Sequence, residues 1–305
     1  MSLSTALRFP AHEAPECRVP AEALLGEGLL WSMAEQALYW VDILGGHLHR
    51  YQPVTQRSER WSFGEPISAV TERAGGPGLL VALRSGLAFF DPALGPEALQ
   101  RLCHPEPDLP GNRYNDGKCD RQGRFWVGSM DFDCVAPTGS LYRVDPDGRH
   151  SRHAQGIAVV NGPTWTLDGR TLLLNDSVQG CVYAHAFDPD TGTLGERRLW
   201  LRLPASDGCP DGMCTDAEGR IWIAHWGGGC VSCHDPDSAE ELGRIHLPAR
   251  QVSNCTFGGA DLDTLFISTA RVGLTQEQLA VQALAGSVFA VRTSARGQVA
   301  SLFRG

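Results

Sequence analysis

The stretch Pro210-Asp-Gly-Met-Cys-Thr-Asp-Ala-Glu-Gly-Arg-Ile-Trp-Ile-Ala-His-Trp-Gly-Gly-Gly-Cys-Val-Ser-Cys-His-Asp-Pro236 holds one unit of a repeat. A turn, Asp216-Ala-Glu-Gly219-Arg, feeds the β-branched and aromatic run Ile221–Trp226, a strand composition. Glycine then opens a second strand, Cys230-Val-Ser-Cys, and Asp235-Pro236 ends the unit. Asp and Gly supply the side-chain hydrogen bond and positive φ of a tight turn, and Pro cannot donate to a ladder. Outward from this unit the pattern recurs. First strands centre on Trp40, Leu80, Trp126, Leu173, Trp222 and Phe266, with steps of 40, 46, 47, 49 and 44 residues. Second strands start at Gly46, Gly86, Gly139, Gly180, Gly229 and Gly286. Further turns are Asp120-Arg-Gln-Gly123-Arg and Leu167-Asp168-Gly169-Arg170; further stops are Asp91-Pro92, Asp145-Pro146 and Asp188-Pro189.

A period of roughly 40–50 residues made of short strands marks a blade array. The expected fold is all-β, a six-bladed β-propeller with a central channel. Blades share their core only with neighbours, so the ring is one domain, expected over residues 15–305. Residues 1–14 carry no strand pattern and read as an irregular N-terminal extension. Ring closure is expected to pair Cys17–Ala23 with the C-terminal strands, removing open edges. Thr275-Gln-Glu-Gln resembles a capping box and predicts a short helix over 275–283, inserted in the last blade.

The 305 residues carry a net charge of −9, with 42% hydrophobic and 20% charged residues. This acidity argues against nucleic acid or an anionic membrane as partner. No apolar run is long enough for a membrane-spanning helix. Met1–Cys17 lacks a charged start followed by an apolar stretch, so no secretory leader is expected. The ten cysteines are then expected to be reduced thiols of a cytoplasmic protein. Cys230 and Cys233 lie three apart on one strand and point to opposite faces, which suits packing rather than a zinc pair.

Eleven to thirteen residues before each first-strand centre stand Glu27, Ser68, Asn115, Asn161, Asp211 and Asn254, all polar. In a propeller this phase is the start of the innermost strand, facing the channel. Asp-Gly and Asn-Gly form turns readily, so Asn115, Asn161 or Asp211 alone reads as a turn residue. In register within one repeat they read as a site. Glu27 and Asp211 would converge with the amides of Asn115 and Asn161. Two buried carboxylates repel, and a divalent cation resolves both the repulsion and the burial. All-oxygen ligands suit Ca²⁺, Mg²⁺ or Mn²⁺; zinc accepts carboxylates but needs fewer positions. Asp116 is a loop-orienting candidate, Ser68 and Asn254 are channel hydrogen bonders, and His225 reads as a packed or surface strand residue.

Leu25-Gly-Glu27-Gly, Arg113-Tyr-Asn115-Asp-Gly-Lys118, Asn161-Gly-Pro-Thr-Trp165, Pro210–Trp222 and Phe257-Gly-Gly259 together resemble the senescence marker protein-30 (regucalcin)/gluconolactonase family, from about Leu24 to Arg292. Ala224-His225-Trp226-Gly-Gly resembles its bacterial sugar-acid lactonases. The resemblance implies a propeller hydrolase that opens sugar lactones (gluconolactone, xylonolactone or arabinonolactone), with one divalent cation, Ca, Zn, Mn, Mg or Fe, in the channel. It implies Glu27, Asn161 and Asp211 as metal ligands, Asp211 also as the catalytic base, and Arg113, Asn115 and Asp133 as substrate-binding residues. The family's animal branch pairs two glutamates near Asp133, where this chain has Phe132 and Cys134; after Leu-Gly-Glu-Gly many relatives have proline, here Leu29. Two other functions fit the same channel: a calcium-binding regulatory protein, and an organophosphatase or aryl-esterase.

Overall fold

The computed structural model describes residues 7–305. Six four-stranded antiparallel sheets form six blades. Their innermost strands are Gly26–Ser32, Ile67–Glu72, Asn112–Cys119, Val160–Trp165, Cys209–Thr215 and Val252–Gly258. In blades 1 to 5 the chain runs from the channel outward through four consecutive strands; in blade 6 the outermost strand is Glu16–Val19, which pairs antiparallel with Val288–Arg292. The N-terminal strand thus closes the ring, as the sequence predicts, but over Glu16–Val19 rather than Cys17–Ala23; residues 20–23 lie outside the strand.

The six first-strand centres of the repeat all fall in the second strand of their blade, and the glycine-led strands are the third. Gly86 and Gly139 open their strands, whereas Gly46, Gly180 and Gly229 stand one residue before theirs and close the turn. Apolar side chains of neighbouring blades interlock into successive core clusters, for example Tyr39, Val41 and Leu48 with Val70, Val81 and Phe90. Trp40, Trp126 and Trp222 are among the largest fully buried side chains.

The Asp-x-x-Gly-Arg turns do more than reverse the chain. Asp216 Oδ2 accepts from Arg220 Nε at 2.7 Å and from Trp222 Nε1 at 3.0 Å. Asp120 repeats this with Arg124 Nε at 2.6 Å and Trp126 Nε1 at 2.9 Å. Each turn therefore fixes the tryptophan that fills the space between blades. The helix spans Gln276–Val281, with both hydrogen bonds of the Thr275/Gln278 capping box formed. All ten cysteines are free. Of the extension expected over 1–14, residues 1–6 lie outside the described residues; residues 7–14 contain no strand, although His12 bridges Thr293 and the Phe9 ring lies 6.0 Å from that of Trp222. The last residues cross one end of the channel: Gln298 Nε2 donates to the Thr215 carbonyl at 3.1 Å, and buried Phe303 bridges Arg73 of blade 2.

Candidate functional site

Each innermost strand breaks register with its neighbour at the channel phase. The shifts fall between Glu27 and Leu30, Ile67 and Ala69, Tyr114 and Gly117, Asn161 and Thr164, Pro210 and Met213, and Val252 and Asn254. A bulge leaves residues unpaired and re-aims their side chains. Gly28 and Gly162, with φ of 58° and 59°, take the left-handed conformation that this requires beside Glu27 and Asn161. Ser68, Asn115 and Asp211 lie inside these shifts, while Glu27, Asn161 and Asn254 are paired and border them; all six are buried around the channel.

The polar groups are bonded from blade to blade. Arg113 Nη1 donates to Asn115 Oδ1 at 2.6 Å, and Asn115 Nδ2 donates to Asn161 Oδ1 at 2.5 Å and to the Val160 carbonyl at 3.0 Å. Asn161 Nδ2 donates to Ser177 Oγ at 3.0 Å. Asn254 Nδ2 donates to Glu27 Oε2 at 3.0 Å, and Ser68 Oγ donates to the Tyr114 carbonyl at 2.5 Å. Asp116 orients the loops: its two oxygens accept from the backbone N–H of Gly117 at 2.8 Å and Gly162 at 3.1 Å.

The carboxylates are the energetic problem of this arrangement. Burial, then the Asp116 carboxylate, pushes Glu27 up to about 8. Burial, then Glu27 and Asp116, raises Asp211 well above the ordinary aspartate range. The repulsion belongs to the pair rather than to either residue. Three buried acceptors here have no partner: Asp211 Oδ1, Asn254 Oδ1 and Asn175 Oδ1. A buried acceptor without a donor is costly, and a cation is one group that satisfies several at once. Among the described residues no three His, Cys, Asp or Glu side chains form a metal cluster. The donor set is instead two carboxylates completed by amide oxygens, a hard-oxygen set that fits a divalent cation.

Arg113 faces a recess of about 280 Å³ with His104, Glu106, Asn112 and Tyr114, and its buried Nε has no partner. A larger cavity of about 340 Å³, lined by Thr71, Asp116, Lys118, Thr164 and Thr215, lies toward the end crossed by Gln298 and includes neither Glu27 nor Asp211. Asp133 is exposed on the turn after the second strand of blade 3.

The repeat phase does not reach two further residues. Ser177 Oγ donates to the Pro210 carbonyl at 2.7 Å, and Asn175 Nδ2 donates to the Asp211 carbonyl at 2.5 Å. Both hold the segment that carries Asp211, from the second strand of blade 4 and the turn after it. Their signal in the sequence is the polar end, Asn175-Asp-Ser177, of the apolar run Leu172-Leu-Leu174.

Fold and site together define a six-bladed propeller with an oxygen-rich, carboxylate-bearing channel. The chain belongs to the SMP-30/gluconolactonase/LRE-like family, whose model matches residues 25–271. It is 34% identical over 278 residues to regucalcin of Danio rerio, covering 90% of this chain and 93% of that protein. It is 36% identical over 295 residues to the 6-deoxy-6-sulfogluconolactonase of Pseudomonas putida, covering 96% of this chain and all of that one (100%). The crystal structure of a calcium-binding protein, regucalcin, from Agrobacterium tumefaciens superposes with a TM-score of 0.91 at 28% identity, covering 99% of this chain and 100% of that chain.

Proposed function

We propose that this protein is a metal-dependent sugar lactonase, hydrolysing an aldonolactone of the gluconolactone, xylonolactone or arabinonolactone type to the sugar acid. The observation that carries the reading is the buried pair Glu27 and Asp211, both driven toward protonation, beside acceptor oxygens with no donor. Membership of a family that includes a sugar lactonase at 36% identity supports the substrate class.

Glu27, Asn161 and Asp211 would hold the cation. When bound, it supplies Lewis-acid polarisation of the lactone carbonyl and stabilisation of the developing oxyanion. The remaining work falls to the chain. Asp211 has an oxygen free of hydrogen bonds and is the group placed to take a proton from the attacking water. Arg113 keeps Nε free and presents a forked donor to substrate oxygens. Asn115 fixes the guanidinium on one side and Asn161 on the other. Asp133 would be a further substrate-binding residue, for substrate hydroxyls.

The test is a lactone panel on metal-stripped protein resupplied with Ca²⁺, Mn²⁺, Mg²⁺, Fe²⁺ or Zn²⁺, with a phosphotriester as the control substrate. Turnover of sugar lactones that depends on the added metal is expected. Full activity after verified metal loss removes the metal role, and preference for the phosphotriester moves the assignment to an organophosphatase. Similarity to proteins named regucalcin favours a second reading, calcium binding without catalysis. Calcium retention with no lactone hydrolysed would select it.

A further inference from the structure

Blade 5 contains a buried chain of hydrogen bonds that is one proton short. His225 Nδ1 lies 2.9 Å from the Asp207 carbonyl, and His234 Nδ1 lies 3.0 Å from the Ala239 carbonyl. A carbonyl can only accept, so both Nδ1 atoms must carry hydrogen. The two Nε2 atoms meet on one hydroxyl: Ser232 Oγ is 2.6 Å from His225 Nε2 and 2.8 Å from His234 Nε2. Two neutral rings already protonated at Nδ1 would leave both Nε2 atoms as acceptors, while the serine has a single hydrogen to give. Four contacts need four protons, and the neutral groups hold three.

We infer that His225, Ser232 and His234 share one additional proton and act as a positioning unit for the segment Asp207–Asp211. The charges around the chain match that count. Arg244 Nη2 pairs with Asp207 at 2.9 Å and with Glu241 at 2.6 Å, so two carboxylates face one guanidinium. The extra proton makes the cluster neutral. The other groups against the rings are the Trp200 indole, 5.9 Å from the His234 ring, and the Cys230 thiol, 4.0 Å from Arg244 Nη1. Burial pushes both imidazoles below the usual histidine range, and the Arg244 guanidinium adds to this, against the proton; the Asp207 and Ala239 carbonyls at Nδ1 and the carboxylates of Asp207 and Glu241 act to retain it.

The chain reaches the channel through the backbone. His225 pairs with Pro210 in the sheet, one residue before Asp211, while its ring holds the carbonyl of Asp207. That carbonyl is also clamped by the next turn, since a Cβ on Gly228 would lie 2.2 Å from it. A shift of His225 is therefore passed to the approach to Asp211.

The proton count does not depend on the lactonase reading; its effect on turnover does. The decisive measurement is ¹⁵N NMR of the imidazole nitrogens in the intact protein, assigned with His225→Gln and His234→Gln. Between about pH 5 and 8, where histidine charge changes, one ring is expected to be doubly protonated, and this state is expected to vanish in Ser232→Ala. Both rings neutral throughout that range overturns the inference. His234→Gln supplies an amide donor to Ser232 and completes the chain without the extra proton. Amide exchange at Gly208 and Cys209 is then expected to lose its pH dependence over that range, whereas Ser232→Ala speeds it. If lactone turnover is found, Ser232→Ala should lower kcat by about 10-fold with little change in KM, as misplacement of a reacting group does. Unchanged exchange in Ser232→Ala removes the positioning role even if the shared proton is present.

Discussion

Arg113 Nη1 donates to Asn115 Oδ1 at 2.6 Å, and this contact ties the buried guanidinium to the amides of the channel. The same Asn115 passes its own N–H to Asn161 Oδ1 on the next blade. Asn115→Ala removes the side-chain acceptor of Arg113 Nη1, leaving it the Tyr114 carbonyl at 3.0 Å, and removes the donor to Asn161 as well. Losing one preorganised donor typically costs about 10²–10³ in kcat. A fall of about that size in kcat/KM for the lactone is expected, read by steady-state kinetics, with the fold intact by circular dichroism.

Asp211→Asn keeps the shape and removes the charge. Metal affinity and turnover should both collapse, and calorimetric titration separates the two. Full turnover in this variant would leave Asp211 with no part in the reaction.

The metal-free protein should lose stability as pH rises. Burial holds the folded-state pKa of Glu27 at about 8, above the ordinary value of 4.5. The folded state thus binds a proton that the unfolded state gives up. The stabilisation is complete below about 4.5 and is lost as pH climbs through about 8. Asp211 acts in the same direction. Thermal melts of chelated protein should fall across this range, and a bound cation should flatten the trend.

Gly212→Ala tests how tightly the ring is built. A Cβ there would lie 2.4 Å from Asn254 Cγ, and Asn254 is the donor to Glu27. Overpacking of this kind costs about 1–3 kcal/mol. Denaturant midpoints should drop accordingly, with activity lost even under conditions where the variant stays folded.

Asp216→Ala tests the turn-to-tryptophan device away from the channel. It strips the buried Arg220 and Trp222 Nε1 of a shared acceptor. Leaving a buried charge without its partner costs about 3–5 kcal/mol. A denaturant titration should show that loss; the neighbouring Glu218, 2.5 Å from Arg220, sets how far it is offset.

The blades are legible because their signal is local. Strand composition, Asp-Gly turns and Asp-Pro stops act within a few residues, and six repetitions make the period visible. The same phase points to Glu27, Asn115, Asn161 and Asp211, and the structure places all four around the channel. The six bulges are not legible. A register shift depends on the strand alongside, and the alternation pattern is silent about a partner that it cannot see. Asn175 and Ser177 escape for a related reason, since they act on blade 5 from blade 4.

The sequence by itself determined the ring, its blade count, its closure by the N-terminal strand and the height at which polar groups gather, because each rests on short-range patterns repeated along the chain. The tertiary structure alone decided how those groups are connected. Arg113, Asn115 and Asn161 are bonded in series, Phe303 is buried against blades 2 and 3 from the far end of the chain, and two histidines nine residues apart meet on one serine hydroxyl. The spacing of residues along one strand fixes which face they share; which neighbour they meet across a blade boundary is set by the packing of the closed ring.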